Sequence, residues 1–158
     1  MKIWRIIRKR NAPTAGAAFG GAGGLSSDGR WHSEGKPIAY AASSESLAKL
    51  EALVHWRPVL SVALVIVEAT IPDDLVAKLA AGLPAGWSSV PDTGAARPIG
   101  DAWLRSGSSL ALEVPSIHSA AEKSILINPN HPEFSQLQIG VPAPFFFDPR
   151  LLDPTPRE

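Results

Sequence analysis

Short apolar runs separated by segments rich in glycine, proline and serine make up most of the chain, and the period of each run predicts an element. Residues 2–8 alternate imperfectly between apolar and basic side chains, with β-branched isoleucines, and predict a first strand. Residues 12–24 are mostly Gly, Ala and Pro, too small to bury much side chain, and predict a loop or a close backbone approach. Residues 38–42 predict a second strand, and a helix over 45–55 follows that Ser43 or Ser44 can cap. On that helix Leu47, Leu50, Glu51 and Val54 fall at i, i+3, i+4 and i+7, so Glu51 is expected on the packed side with three aliphatic residues.

Residues 59–70 are β-branched and nearly uninterrupted, which predicts a central strand buried on both faces. Pro72-Asp73-Asp74 predicts the start of a short helix through Ala80, closed by Gly82, Pro84 and Gly86. Residues 87–101 read as loop, and 99–105, with Trp103, as another short helix. Leu110, Leu112 and Val114 alternate within a strand over 108–115 that leaves Ser116 just past its end. Residues 125–128 predict a further strand, closed by the turn signal Asn128-Pro129-Asn130-His131-Pro132. Residues 134–139 and 144–147 predict late strands with proline at their margins, and the segment 148–158 is expected to be peripheral. Strands outnumber helices, so the expectation is one α+β domain over 1–158, short helices on a mixed or mainly antiparallel sheet.

Composition narrows the function classes. With 45% apolar and 19% charged residues, the chain is expected to fold and to be soluble. Fifteen basic and fifteen acidic residues cancel, which removes the electrostatic argument for nucleic acid or an anionic membrane. The one basic cluster, Arg5, Arg8, Lys9 and Arg10, is expected to be a solvated strand end and turn. No cysteine is present, so disulfides and thiolate chemistry are excluded. The apolar run 59–67 is too short to span a membrane and no leader pattern precedes residue 8; a cytoplasmic location is expected.

Neither G-x-G-x-x-G nor a P-loop is present; the nearest miss, from Gly29 to Gly35-Lys36-Pro37, has one residue too many and proline where Ser or Thr must bind magnesium. His32, His55, His118 and His131 show no metal-ligand spacing, and no metal is expected. Ser116 and His118 are neighbours, but no nucleophile elbow surrounds them.

The chemistry concentrates between Ser26 and His55. Arg30 can hold phosphate, Tyr40 can stack on a base or a pyridine, and a partly buried Glu51 can stabilise a developing cation. Each also has a plainer reading: a surface arginine, a core tyrosine and a glutamate at a stripe edge facing water. Residues and periodicity alone leave both open.

Gly29-Arg30-Trp31, Pro37-Ile38-Ala39-Tyr40-Ala41-Ala42-Ser43 and Leu47-Ala48-Lys49-Leu50-Glu51-Ala52-Leu53-Val54-His55 closely resemble the core of the RES-domain family, named for its Arg, Glu and Ser. Gly100-Asp101-Ala102-Trp103, Leu112-Glu113-Val114-Pro115-Ser116 and Ile127-Asn128-Pro129-Asn130-His131-Pro132 resemble its later motifs, and the likeness runs from Trp4-Arg5 to Pro132. The resemblance implies a fold similar to that of ADP-ribosyltransferases and the toxin half of a bacterial toxin–antitoxin pair. It implies NAD as substrate, consumed by hydrolysis or phosphorolysis or used to ADP-ribosylate a cellular protein, with growth arrest as the result. It also implies an Xre-like helix-turn-helix antitoxin that covers the active site.

Carried over by motif, Arg30, Tyr40, Glu51 and Ser116 match the family's arginine, tyrosine, glutamate and serine, while His55 and Asn128 match further motif positions expected to bind NAD. Arg30, Tyr40, Glu51 and Ser116 are expected to converge on one cleft. One departure is His32, where many members carry asparagine. The alternative from another class is a catalytically silent module that binds NAD or the partner; neutral charge and the missing metal cluster count against a nuclease.

Overall fold

The computed structural model describes residues 1–56, 62–80 and 82–152. Eight strands form one sheet: β1 (Lys2–Arg8), β2 (Ala39–Ala42), β3 (Leu64–Thr70), β4 (Val76–Lys78), β5 (Ala111–Pro115), β6 (Lys123–Ile127), β7 (Gln138–Ile139) and β8 (Ala143–Phe145). Their order is β4-β5-β6-β2-β1-β3-β7, with β8 pairing farther along β3. Among the described residues only β4 and β5 run parallel; every other pairing is antiparallel. Two α-helices among the described residues, α1 (Glu45–Trp56) and α2 (Arg97–Ser106), complete a single α+β domain.

The two halves of the sheet meet at a thin seam. β1 pairs with β3 over its whole length, from Lys2 opposite Thr70 to Arg8 opposite Leu64, whereas β1 and β2 share only the pair Trp4 and Ala42. Where neighbouring strands diverge in this way, backbone groups along the gap must find other partners.

Alternation sorts the core onto two faces. Ile3, Ile7, Ala39, Ala41, Val65, Val67, Ile125 and Ile127 point to one, closed by Phe19, Leu75, Leu110 and Leu137. On the other, α1 packs Leu47, Ala48 and Ala52 on Ile6, Ala42 and Leu64, while α2 brings Trp103 against Trp31, Ile38, Leu112 and Leu126. Ser44 caps α1, its hydroxyl accepting from the Leu47 N–H at 3.0 Å. At Gly100 in α2 a Cβ would lie 1.8 Å from the Trp31 carbonyl oxygen, so only glycine lets the helix reach the chain there.

Several expectations need correction. The stripe on α1 is displaced: Leu50 and Val54 are 39% and 52% exposed, the inward positions are Leu47, Ala48 and Ala52, and half-buried Glu51 and exposed His55 line the cleft beside them. Alanines at 48 and 52 let the helix lie close over the seam, where leucine and valine would hold it off. The segment after Pro72-Asp73-Asp74 makes one 3-10 turn and then β4, because the open edge of β5 takes Val76 to Lys78 as a parallel partner. Within 134–139 only Gln138–Ile139 is strand. Of the run expected over 59–70, the observed strand is Leu64–Thr70; it carries exposed Glu68, and residues 59–61 lie outside the described residues.

Candidate active site

A cleft of about 100 Å³ opens at the β1–β2 seam under α1. Since an apolar cavity of about 150 Å³ holds a benzene ring, this space suits a group of ring size or smaller rather than a whole dinucleotide. Trp4, Arg5 and Ile6 of β1, Tyr40, Ala41 and Ala42 of β2, Ala48, Glu51 and His55 of α1, and Ser124 of β6 line it. Glu51 and His55 are one helical turn apart, so the same face of α1 delivers both.

Glu51 is held but not enclosed, with its side chain 28% exposed. Its Oε1 accepts from the Ser116 hydroxyl at 3.1 Å and from the Ser124 hydroxyl at 3.4 Å, and its Oε2 stands 3.5 Å from His118 Nε2. Alternation explains the serines: Ser124 lies two residues before Leu126, and Ser116 two after Val114, on the face that α1 covers. The Ser116 hydroxyl also accepts from the His118 backbone N–H at 3.0 Å, which fixes its rotamer. The carboxylate is therefore oriented by hydroxyls, with no arginine or lysine among the described residues to neutralise it.

Arg5, expected in a solvated basic cluster, instead reaches into the seam. Its Nη1 donates to the Tyr40 carbonyl oxygen at 2.6 Å, supplying the partner that the missing β1–β2 ladder does not. Its Nε is shielded from solvent and has no partner among the described residues. Burial pulls the guanidinium down from its ordinary value to about 10, partly opposed by Tyr40. A charge so placed has no carboxylate paired to it and one donor unmet among the described residues.

Tyr40 stands where the cleft meets the second half of the site. Its hydroxyl accepts from the Trp31 N–H at 3.2 Å and contacts His32 Nδ1 at 2.8 Å. Burial pushes the phenol far above its ordinary range, with the hydrogen bond from Trp31 opposing.

Arg30 does not line the cleft. Its guanidinium clamps the segment 87–92, donating from Nη1 to the Trp87 carbonyl and from Nη2 to the Ser89 carbonyl at 3.1 Å, and it pairs with Asp92 at 3.3 Å. Asp92 is shared with Arg97 at 3.2 Å, and Arg97 continues to Asp28 at 3.0 Å and the Gly29 carbonyl at 3.1 Å. Trp87 packs on Trp31 with ring centroids 6.0 Å apart.

Asn128 is buried in the turn after β6, its Oδ1 accepting from the Asn130 N–H at 3.0 Å, and is not among the cleft's lining residues. Of the six residues singled out in the sequence, Tyr40, Glu51 and His55 share the cleft wall, Ser116 joins through Glu51, and Arg30 and Asn128 stand outside it. Sequence reasoning missed Arg5, Ser124 and His118. The parity of β5 and β6 could have flagged the serine and the histidine; nothing local distinguishes Arg5 from its basic neighbours.

Fold and site together define a single-domain protein with a carboxylate-bearing cleft at a split sheet. The RES domain profile matches residues 2–148, and the chain belongs to the RES domain family. It is 33% identical over 155 residues to the Prs ADP-ribosylating toxin of Sphingobium sp. strain YBL2, covering 95% of this chain and 96% of that protein. It is 36% identical to Toxin Res of Yersinia enterocolitica, covering 96% and 99%. Its fold matches a chain of the M. tuberculosis MbcT–MbcA toxin–antitoxin complex, with a TM-score of 0.73 at 16% identity over 91% of this chain and 83% of that one.

Proposed function

We propose that this protein is the toxin of a toxin–antitoxin pair and an enzyme that breaks the nicotinamide–ribose bond of NAD. The observation that carries the reading is the Glu51 carboxylate, oriented by Ser116 and Ser124 at a ring-sized cleft shared with Tyr40 and Arg5. The curated relatives named as toxins, one of them ADP-ribosylating, support it.

When the bond from the ribose anomeric carbon to the pyridinium nitrogen breaks, its electron pair leaves with neutral nicotinamide and the ribose becomes oxocarbenium-like. A carboxylate fixed beside that carbon stabilises the cation without reorganising, an effect worth about 3 kcal/mol of barrier. Tyr40 offers its ring to the nicotinamide and Arg5 offers its unused donors to substrate oxygens within the cleft. A whole dinucleotide extends beyond the cleft, and in this reading Arg30, whose neighbour Trp31 donates its N–H to the Tyr40 hydroxyl, takes the pyrophosphate by exchanging Asp92 and the carbonyls for phosphate. An acceptor then bonds to the anomeric carbon and gives up a proton. A cellular protein, water or phosphate each fits this step. An Xre-like antitoxin is the expected partner, in keeping with the fold shared with a chain of a toxin–antitoxin complex.

Incubating the purified protein with NAD should release nicotinamide, and Glu51→Gln should abolish release while leaving the circular dichroism spectrum unchanged. Mass spectrometry of the products in the presence of lysate distinguishes free ADP-ribose, its phosphate ester and a modified protein. No release with water, phosphate or lysate as acceptor would sink the reading.

A further inference from the structure

His32 is 4% exposed and lies between two glycines that leave it room. A Cβ at Gly29 would lie 2.6 Å from its Nδ1 and 2.7 Å from the Tyr40 hydroxyl, and one at Gly24 would lie 3.0 Å from its Nε2. The backbone bends to the ring as well, with the Gly29 N–H donating to the His32 carbonyl at 3.0 Å.

The hydrogen bonds decide the tautomer. His32 Nε2 is 3.1 Å from the Ser27 carbonyl oxygen, which can only accept, so Nε2 carries the proton. In the neutral ring Nδ1 is then a bare acceptor, and the hydroxyl 2.8 Å away, that of Tyr40, must donate to it. The same oxygen accepts from Trp31 N–H at 3.2 Å. The result is a directed chain from Trp31 through Tyr40 and His32 to Ser27, in which the tyrosine's only proton is committed.

We propose that His32 is a positioning residue for Tyr40: its Nδ1 accepts the tyrosine's hydrogen bond, fixes the ring at the wall of the cleft and leaves the ring face, rather than the hydroxyl, as the group presented to substrate. This rests on the reading that Tyr40 faces the nicotinamide, and it adds that tyrosine acts there by shape and stacking alone.

Two substitutions separate this role from simple filling of space. In His32→Asn the amide oxygen falls near the position of Nδ1 and can accept from Tyr40, while the Ser27 contact is lost. In His32→Gln the amide reaches the position of Nε2 and keeps Ser27, while Tyr40 loses its acceptor. The proposal expects His32→Asn to keep KM and kcat for NAD within about threefold of the parent and His32→Gln to raise KM by about tenfold or more. The reverse ranking, or two equally active variants, overturns it.

The chain contains a single tyrosine, so tyrosinate absorbance reports on Tyr40 alone and requires no turnover. Its alkaline transition should lie well above that of free tyrosine in the parent and in His32→Asn, and should fall in His32→Gln. Nitrogen-15 NMR of the parent should show neutral His32 as the Nε2–H tautomer; the Nδ1–H form overturns the proposal even if both variants fail to fold. If NAD is not consumed at all, the reading of the enzyme fails while the absorbance and NMR results still decide the role of His32.

Discussion

The two ends of the site are built on opposite principles. At the Glu51 end the charged groups are under-committed: among the described residues the carboxylate is held only by hydroxyls and a facing imidazole, and the Arg5 Nε has no partner. At the Arg30 end the charges satisfy one another. Arg30, Asp92, Arg97 and Asp28 form a continuous network, and Asp101 accepts from the Ser33 N–H and hydroxyl and pairs with Lys36 at 3.3 Å. Buried or half-buried charge without a counter-charge raises the energy of a fold, and charge left so at one end of the site and satisfied at the other agrees with the proposal that the first end takes a ligand. The satisfied end is the frame that holds the unsatisfied one in position.

The largest expected effect lies at the reactive end. Glu51→Gln keeps the shape and the serine contacts but removes the negative charge, and kcat for nicotinamide release should fall by about a hundredfold or more with little change in melting temperature. Arg5→Met comes next. Lost contacts to substrate should lower kcat/KM by about tenfold, while relief of an unpaired buried cation offsets the lost bond to the Tyr40 carbonyl and keeps stability within about 1 kcal/mol. A large loss of stability in Arg5→Met would show that the guanidinium is structural and would erase the contrast between the two ends.

The frame should respond the other way. Asp92→Asn weakens the charge that Arg30 and Arg97 share, and should lower stability by about 1 kcal/mol with a rise in KM and little change in kcat. Thermal melts and steady-state kinetics on the same preparation check both halves of this expectation. If kcat falls as far as in Glu51→Gln, the segment 87–92 belongs to the reacting centre.

Much of this arrangement was legible in the residues, for reasons that differ by element. β1 was readable from its alternation and Ser44 because a cap is a local event, whereas α2 was readable only in part, since it begins at Arg97 inside the segment 87–101 read as loop. The phase of α1 was not: Leu50 and Val54 attract any reading based on hydrophobicity, and only the seam beneath the helix makes Ala48 and Ala52 the better contacts. β4 was missed because its partner, β5, is remote in sequence. Arg5 was misplaced for a related cause, since the gap that encloses it exists only once β1 and β2 fail to pair beyond Trp4 and Ala42. The family motifs imply one cleft for Arg30 and Glu51; in the structure Glu51 lines the cleft and Arg30 does not.

The smallest effect expected is on pH. Burial, more than any other influence, lowers the basicity of His32; Arg97 adds to it, while the Ser27 carbonyl, Asp101 and Asp28 oppose it. Those groups and the Tyr40 hydroxyl are the polar neighbours that face the ring, and Asp28 and Asp101 are themselves partnered by Arg97 and Lys36. The folded protein therefore binds fewer protons at this site than the unfolded chain, whose imidazole titrates near 6.5. The contribution of neutral His32 to stability is full above that value and is lost as pH falls toward the lower folded value. His32→Asn cannot titrate at this position, so the melting temperature of the parent should fall more steeply than that of the variant between about pH 7 and pH 5. Subtracting the two curves cancels the other histidines, which are common to both. Protonation would also place a second N–H against the Tyr40 oxygen, which then loses its acceptor and must receive two donors, so activity should show an acid limb that the asparagine variant lacks. Parallel melting curves would mean that the ring gains its proton without penalty and that the frame at this end is looser than its hydrogen bonds indicate.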